Sequence, residues 1–178
     1  MAKYLGETLI SKDEIASICE SLGRRITHDY IGRSVFLIGV LKGAFIFMAD
    51  LARNIDLPVD MDFISVSSYA GGTQSTGVVR IIKDVEQNIA GKHVIVVEDI
   101  VDSGLTLNHL KQLLSTRNPA SIALCTAFDK PERRRVAIDV EYVGRRIPDE
   151  FIVGYGLDYN GIYRNLPDVR ILRDNAEE

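Results

Sequence analysis

The stretch VIVVEDIVDSGLTL, residues 94–107, decides the fold of this chain and indicates where its site lies. Four apolar residues run into Glu98 and Asp99, and a third acid, Asp102, follows before the spacing predicts the first turn of a helix. A buried strand that turns through small residues into a helix gathers backbone N–H groups, which bind anions such as phosphate. Three acids beside a phosphate site need an explanation, because their charges repel the phosphate.

Length and composition restrict the chain to an ordinary globular class. Its 178 residues predict one domain, 1–178, large enough to bury a sizeable core. A hydrophobic share of 46% and a charged share of 26% are typical of soluble proteins. The opening residues lack the apolar run of a signal peptide, and no apolar run approaches the ~20 residues of a membrane span. We therefore expect a cytoplasmic protein that contacts no membrane.

Charge and cysteine content exclude further classes. The net charge of −4 opposes nucleic acid as the main partner. The basic runs at 133–135 and 145–146 are interpreted as a solvated face or a subunit contact. Cys19 and Cys125 are far apart and fall within apolar patterns, so we expect core residues in a reducing compartment rather than a disulfide.

Apolar spacing predicts buried strands that alternate with helices. The predicted strands lie at 35–40, 59–66, 78–85, 94–97, 121–128, 140–144, 151–156 and 169–172. The predicted helices lie at 11–22, where a capping box opens the helix and Gly23 ends it, at 44–55 and at 105–117. This alternation predicts an α/β domain whose central, mostly parallel sheet is flanked by helices on both faces.

Polar residues follow several of these strands. They are Lys42 and Gly43, the segment 98–106, Lys130, and the GLDYN segment at 156–160. Because ligands of such sheets bind beyond the carboxyl ends of strands, these residues predict one shared site. Other chemistries lack their motifs: residues 72–77 do not end in the Lys-Ser/Thr of a P-loop, and no GxGxxG or GxSxG is present. The three histidines lack metal-ligand spacing.

The segment VVEDIVDSGLTL resembles the loop of type I phosphoribosyltransferases that binds 5-phosphoribosyl pyrophosphate (PRPP). With LKGA (41–44), SSYAGGTQSTG (67–77), Lys130 and IPDEFIVGYGLDYNGIYRNLP (147–167), the chain is similar to the 6-oxopurine branch of that family. The resemblance implies the type I fold with a small hood region and a mobile loop at about 67–77. It also implies transfer of the phosphoribosyl group from PRPP to hypoxanthine or guanine, giving IMP or GMP and pyrophosphate.

The same resemblance implies roles for the acids. The loop 102–106 binds the 5′-phosphate, while Glu98 and Asp99 accept hydrogen bonds from the ribose hydroxyls, directly or through Mg²⁺. Asp158 binds a second Mg²⁺. The full set of implied substrate contacts is Lys42, Gly43, Ser68, Tyr69, Glu98, Asp99, Asp102, Ser103, Gly104, Leu105, Thr106, Lys130, Phe151, Ile152 and Arg164.

The remaining implied contacts serve pyrophosphate, purine and loop closure. Backbone amides at Lys42 and Gly43, and the guanidinium of Arg164, bind pyrophosphate; the Leu41–Lys42 peptide can be cis in this family. Phe151 stacks on the purine, the Ile152 backbone meets the base edge, and Lys130 donates to O6. Ser68 and Tyr69 begin the mobile loop. The family forms homodimers or homotetramers.

Asp102 has two interpretations. It is a catalytic residue that handles the proton at purine N7, or it merely caps the following helix. Two other functions also remain open: a relative that acts on xanthine, adenine or a pyrimidine, and a PRPP-binding regulator of transcription. A pyrimidine lacks N7 and adenine lacks O6, so enzymes for these bases are disfavoured, as is a regulator, which needs a nucleic-acid surface. The choice among hypoxanthine, guanine and xanthine stays open.

Overall fold

The computed structural model describes residues 3–68 and 79–174. The strands are β1 (Lys3–Ile10), β2 (Val35–Leu41), β3 (Val59–Ser68), β4 (Val79–Lys83), β5 (His93–Val101), β6 (Ser121–Asp129), β7 (Tyr142–Arg146), β8 (Ile152–Val153) and β9 (Val169–Asp174). The helices are α1 (Lys12–Asp29), α2 (Phe45–Arg53) and α3 (Leu105–Ser115), with a 3-10 turn at Pro131–Arg133. None of these helices combines the length and apolar composition that a membrane span needs.

The main sheet has the strand order β4-β3-β2-β5-β6-β7, and only the β3–β4 pair is antiparallel. Along β5, Ile95 and Val97 pack into the core cluster that contains α1 and α2, whereas Val94 and Val96 pack with α3. Helices therefore cover both faces, which explains why the strands are continuously apolar. The predicted mostly parallel sheet is confirmed.

A second, antiparallel sheet has the order β1-β9-β8 and corresponds to the expected hood region. Its strand β1 was not predicted, because most of its residues are partly or fully exposed and ion pairs rather than apolar alternation mark its register. Lys3 pairs with Asp174 at 2.6 Å, and Glu7 with Arg173 at 2.5 Å. The predicted strand 151–156 is wrong in extent, since only β8 is strand and it belongs to this second sheet.

Helix α1 begins as predicted and ends later. The Ser11 side chain and Glu14 form the capping box, with the Ser11 N–H donating to Glu14 Oε2 at 2.8 Å. The prediction that Gly23 ends the helix is wrong. A Cβ on Gly23 would lie 2.3 Å from the Asn54 carbonyl oxygen, so this glycine allows α1 to approach the end of α2. Cys19 and Cys125 are buried and unpaired with each other, as predicted.

Candidate active site

The two adjacent acids lie near the carboxyl end of β5, between β2 and β6. The strand continues through them to Val101, so the prediction that it ends at Glu98 is wrong. Asp99 is only 9% exposed. Burial, together with the charge of Asp99, raises the pKa of Glu98 well above its ordinary range, and burial also raises the pKa of Asp99. The pair is therefore suited to hydroxyl donors or a cation, which relieve the cost of its charge.

The described residues contain no group of three or more His, Cys, Asp or Glu side chains placed to hold a metal. Two neighbouring carboxylates nevertheless fit a divalent cation. Mg²⁺ commonly binds proteins through one or two carboxylates and takes its other oxygens from water and substrate phosphates.

The loop after β5 leads directly into α3. Gly104 is the N-cap residue of α3, with a φ of 79° that favours glycine, and because glycine has no side chain the N-cap residue itself makes no capping hydrogen bond. The acids, this loop and the first turn of α3 line one cavity of about 200 Å³. Backbone N–H groups at this helix start are thus suited to bind an anion.

The interpretation of Asp102 as the cap of α3 is wrong. Its carboxylate Oδ2 instead accepts a hydrogen bond from Arg133, at 3.3 Å from Nη1. Ser103 Oγ accepts a longer bond from the Leu105 N–H, at 3.4 Å. Asp102 therefore stays available for a role other than holding the helix.

The turn after β2 contacts the acids directly. A Cβ on Gly43 would lie 1.7 Å from Asp99 Oδ2, and a Cβ on Gly156 would lie 2.1 Å from the Gly43 carbonyl oxygen. Lys42 is exposed, and the Leu41–Lys42 peptide bond is cis. The segments around Gly43, Asp99 and Gly156 thus meet closely, and a side chain at either glycine would clash.

Arg164 and Asp158 face each other beyond this contact. Arg164 Nη2 lies 2.6 Å from Asp158 Oδ1, and its Nη1 donates to the Gly156 carbonyl at 2.6 Å. The Gly161 N–H donates to Asp158 Oδ2 at 2.7 Å. The positive charge of Arg164 also opposes the effect of burial on the pKa of Asp99, which places it within electrostatic range of the acids.

Lys130 and Phe151 form the other side of the site. Lys130 is 7% exposed, its Nζ donates to the Glu150 carbonyl at 2.6 Å, and burial lowers its pKa. Phe151 is half exposed and packs edge-to-face against Tyr159, with 5.8 Å between ring centroids. Ile152 is buried in β8. A half-exposed aromatic ring near a buried donor suits a flat heterocycle with an acceptor on its edge.

Two arginines of the basic run at 133–135, which the sequence predicts to be a solvated face or a subunit contact, form ion pairs at this site. The low exposure of Arg134 contradicts a solvated face for that residue, whereas Arg133 is half exposed. Arg133 joins Asp102 to Asp149, whose Oδ1 lies 2.5 Å from Nε. Arg134 donates to the Asp102 carbonyl at 2.9 Å and forms an ion pair with Asp129. Their only signal in the sequence is that they follow Lys130 at a strand end.

The predicted loop at 67–77 lies largely outside the described residues, and so does Tyr69. Its first two residues are corrected: Ser67 and Ser68 end β3 and pair with Arg80 and Val79 of β4.

A helix start suited to an anion, beside two acids near the carboxyl edge of a parallel sheet, together with a small second sheet, is the arrangement expected of phosphoribosyl-transferring enzymes. The family model described as the phosphoribosyl transferase domain matches residues 7–160. Hypoxanthine-guanine phosphoribosyltransferase of Staphylococcus aureus is 47% identical over 173 residues, which cover 97% of each chain. This chain therefore belongs to the phosphoribosyltransferase family, in its hypoxanthine-guanine branch.

Solved structures agree with this placement. A crystal structure of a hypoxanthine-guanine phosphoribosyltransferase from Bacillus anthracis, with a HEPES molecule in the active site, superposes with a TM-score of 0.92 at 47% identity, covering 97% of this chain and all of that one. A hypoxanthine phosphoribosyltransferase from Staphylococcus aureus gives a TM-score of 0.92 at 47% identity, covering 95% of this chain and 92% of that one.

Proposed function

We propose that this chain is a purine salvage enzyme, a pentosyltransferase that moves the 5-phosphoribosyl group from PRPP to hypoxanthine and guanine. The products are IMP or GMP and pyrophosphate. The observation that carries the proposal is one cavity lined by Glu98, Asp99 and the start of α3, whose N-cap residue makes no side-chain capping hydrogen bond. It offers separate places for the two chemically different ends of a ribose phosphate.

The division of charge answers why acids stand beside a phosphate site. The 5′-phosphate binds the N–H groups from Asp102 to Thr106 and the hydroxyls of Ser103 and Thr106. Glu98 and Asp99 accept hydrogen bonds from the ribose 2′- and 3′-hydroxyls, directly or through a cation. The acids and the phosphate therefore bind different groups.

Mg²⁺ is the cofactor that fits these donors. Glu98 and Asp99 would hold one ion on the ribose side, and Asp158 a second on the pyrophosphate side. The bound ions would offset the charge that develops on the departing pyrophosphate. Gly43 and Lys42 offer backbone amides to the same group, and Arg164 adds a guanidinium.

The purine binds between the ring of Phe151 and the buried ammonium of Lys130. Phe151 stacks on one face, the Ile152 backbone meets the base edge, and Lys130 donates to O6. The loop that follows Ser68 at the end of β3, from Tyr69 onward, closes over the substrates and excludes water.

The chemistry consists mainly of positioning and charge stabilisation. Purine N9 forms the bond to C1′ as the C1′–O bond breaks, and pyrophosphate leaves with the electron pair. The proton on N7 passes to the carboxylate of Asp102, which the helix leaves free.

We also propose a homodimer or homotetramer. Phe45 and Met61 are about half exposed and line an apolar groove of about 430 Å³ together with Met48 and Phe63. Light scattering after size exclusion tests this: a monomer at micromolar concentration would contradict it.

The function is tested by incubating the protein with PRPP, Mg²⁺ and each of hypoxanthine, guanine, xanthine and adenine. Nucleotide and pyrophosphate should form in equal amounts with hypoxanthine and guanine. The absence of PRPP-dependent nucleotide with all four bases would contradict the proposal.

A further inference from the structure

Arg133 spans a gap between two carboxylates that come from different parts of the chain. Its Nη1 lies 3.3 Å from Oδ2 of Asp102, in the loop after β5, and its Nε lies 2.5 Å from Oδ1 of Asp149. Asp149 directly precedes Glu150, whose carbonyl accepts the hydrogen bond from Lys130. The Arg133 guanidinium thus connects Asp102, the proposed proton acceptor, to the segment around Asp149 that is proposed to contact the edge of the purine.

Stability alone does not account for this bridge. The side chains of Arg133, Asp102 and Asp149 are 51%, 47% and 39% exposed. Ion pairs this exposed contribute little to stability, because solvent screens them and ordering two long side chains costs entropy. A planar guanidinium that bonds in two directions does, however, fix the orientation of the groups it touches.

The bridge engages only one oxygen of Asp102. Among the described residues, Oδ2 accepts the bond from Arg133, and the hydrogen bonds of the Asp102 carboxylate leave Oδ1 without a donor. Arg134 donates to the backbone carbonyl of the same residue at 2.9 Å, which anchors its main chain as well. An anchored carboxylate with one oxygen free is suited to receive a proton from a bound ligand.

We propose that Arg133 is a positioning residue for the transfer reaction: it holds Asp102 so that Oδ1 faces N7 of the purine, and it ties this carboxylate to Asp149 at the base edge. The inference rests on the proposed function. During transfer the N7–H bond breaks, the proton moves to Oδ1, and Oδ2 stays on the guanidinium.

The test compares Arg133→Gln with Arg135→Gln. Both variants lose one positive charge from the same segment, but Arg135 is exposed and forms no side-chain ion pair with the described residues. Because misplacing a reacting group costs roughly 10- to 100-fold, Arg133→Gln should lower kcat by about this factor. The KM for PRPP and the melting temperature should match those of Arg135→Gln. Arg133→Lys should recover part of kcat, since it keeps the charge without the fork.

A double-mutant cycle separates positioning from a structural role. In an Asp102→Asn background, Arg133→Gln should change kcat by less than about twofold, because the group that it positions is already lost. Two results would overturn the inference if the unsubstituted protein has transferase activity. One is a double variant in which the two losses of kcat add, and the other is an Arg133→Gln variant as active as Arg135→Gln. An unsubstituted protein without transferase activity would overturn the proposed function and this inference with it.

Discussion

Two regions of the site hold their charges in opposite ways. Near the carboxyl end of β5, burial raises the pKa values of Glu98 and Asp99. The backbone N–H groups of Asp99 and Ile100 and the charge of Arg164 offset this only in part, and neither acid forms an ion pair with the described residues. Around Asp158 and Asp149, in contrast, each carboxylate pairs with an arginine within 2.6 Å. We therefore expect Glu98 and Asp99 to gain favourable interactions when a ligand binds. Asp158 and Asp149 would instead replace their ion pairs with arginine by contacts with the ligand.

The largest expected effect concerns Lys130 and the choice of purine base. If the buried ammonium of Lys130 donates to O6, adenine places its amino group where an acceptor is needed. A site with an unpaired buried donor rejects such an analogue by ~10⁴-fold in kcat/KM. Steady-state rates for adenine and hypoxanthine measure the ratio.

Lys130→Ala serves as the companion variant for base selection. It should raise the KM for hypoxanthine more than the KM for PRPP. Comparable kcat/KM values for adenine and hypoxanthine in the unsubstituted protein would remove Lys130 from base selection.

Asp102 lies where the two regions meet, and its substitution separates chemistry from binding. Asp102→Asn should lower kcat by roughly 10²- to 10⁴-fold, the usual contribution of a positioned acid or base. PRPP affinity should stay nearly unchanged, because the phosphate binds backbone N–H groups. Single-turnover rates and PRPP titrations measure the two quantities. A variant that keeps most of its kcat would end the catalytic assignment.

Substitution of Arg164 tests the region around Asp158, where the carboxylate is already paired with an arginine. Arg164→Gln should weaken binding of Mg²⁺-pyrophosphate by roughly 10- to 100-fold, the worth of a charge-assisted hydrogen bond. Arg173→Gln is the control, since it also breaks an arginine–carboxylate pair, the one with Glu7, outside the candidate site. Isothermal titration calorimetry compares the two. Equal affinities would show that Arg164 serves only its pair with Asp158.

The region around β5 and α3 could be predicted because its residues are contiguous. Within 94–107 the strand, the acids and the helix start all follow from local pattern. Long-range contacts could not be predicted: β1 pairs with β9 across nearly the whole chain, and Arg133 reaches Asp102 across 31 residues. Gly104 as the N-cap was missed because Asp102 and Ser103 are better caps by type, and only the three-dimensional structure shows where their side chains lie.

The central claim is that the site keeps Glu98 for the ligand as a carboxyl group with a pKa raised by burial and with no ion-pair partner among the described residues, at a cost to the ligand-free fold. Since burial raises its folded-state pKa, the unfolded chain ionises at lower pH than the folded one, and stability falls as pH rises above the ordinary carboxyl range toward that raised pKa. Glu98→Gln does not lose this stability. Its advantage over the unsubstituted protein should be near zero at about pH 4 and grow toward neutral pH.

Thermal unfolding of the unsubstituted protein and Glu98→Gln, with and without Mg²⁺ and PRPP at about pH 7.5, measures this claim directly. Without ligands the variant should be more stable by about 0.5–2 kcal/mol, as is common when a functional site is relieved of strain or charge. With Mg²⁺ and PRPP the order should reverse, because the variant binds them less tightly and gains less stability from them. A ligand-free variant less stable than the unsubstituted protein, or one stabilised equally by the ligands, would contradict the account.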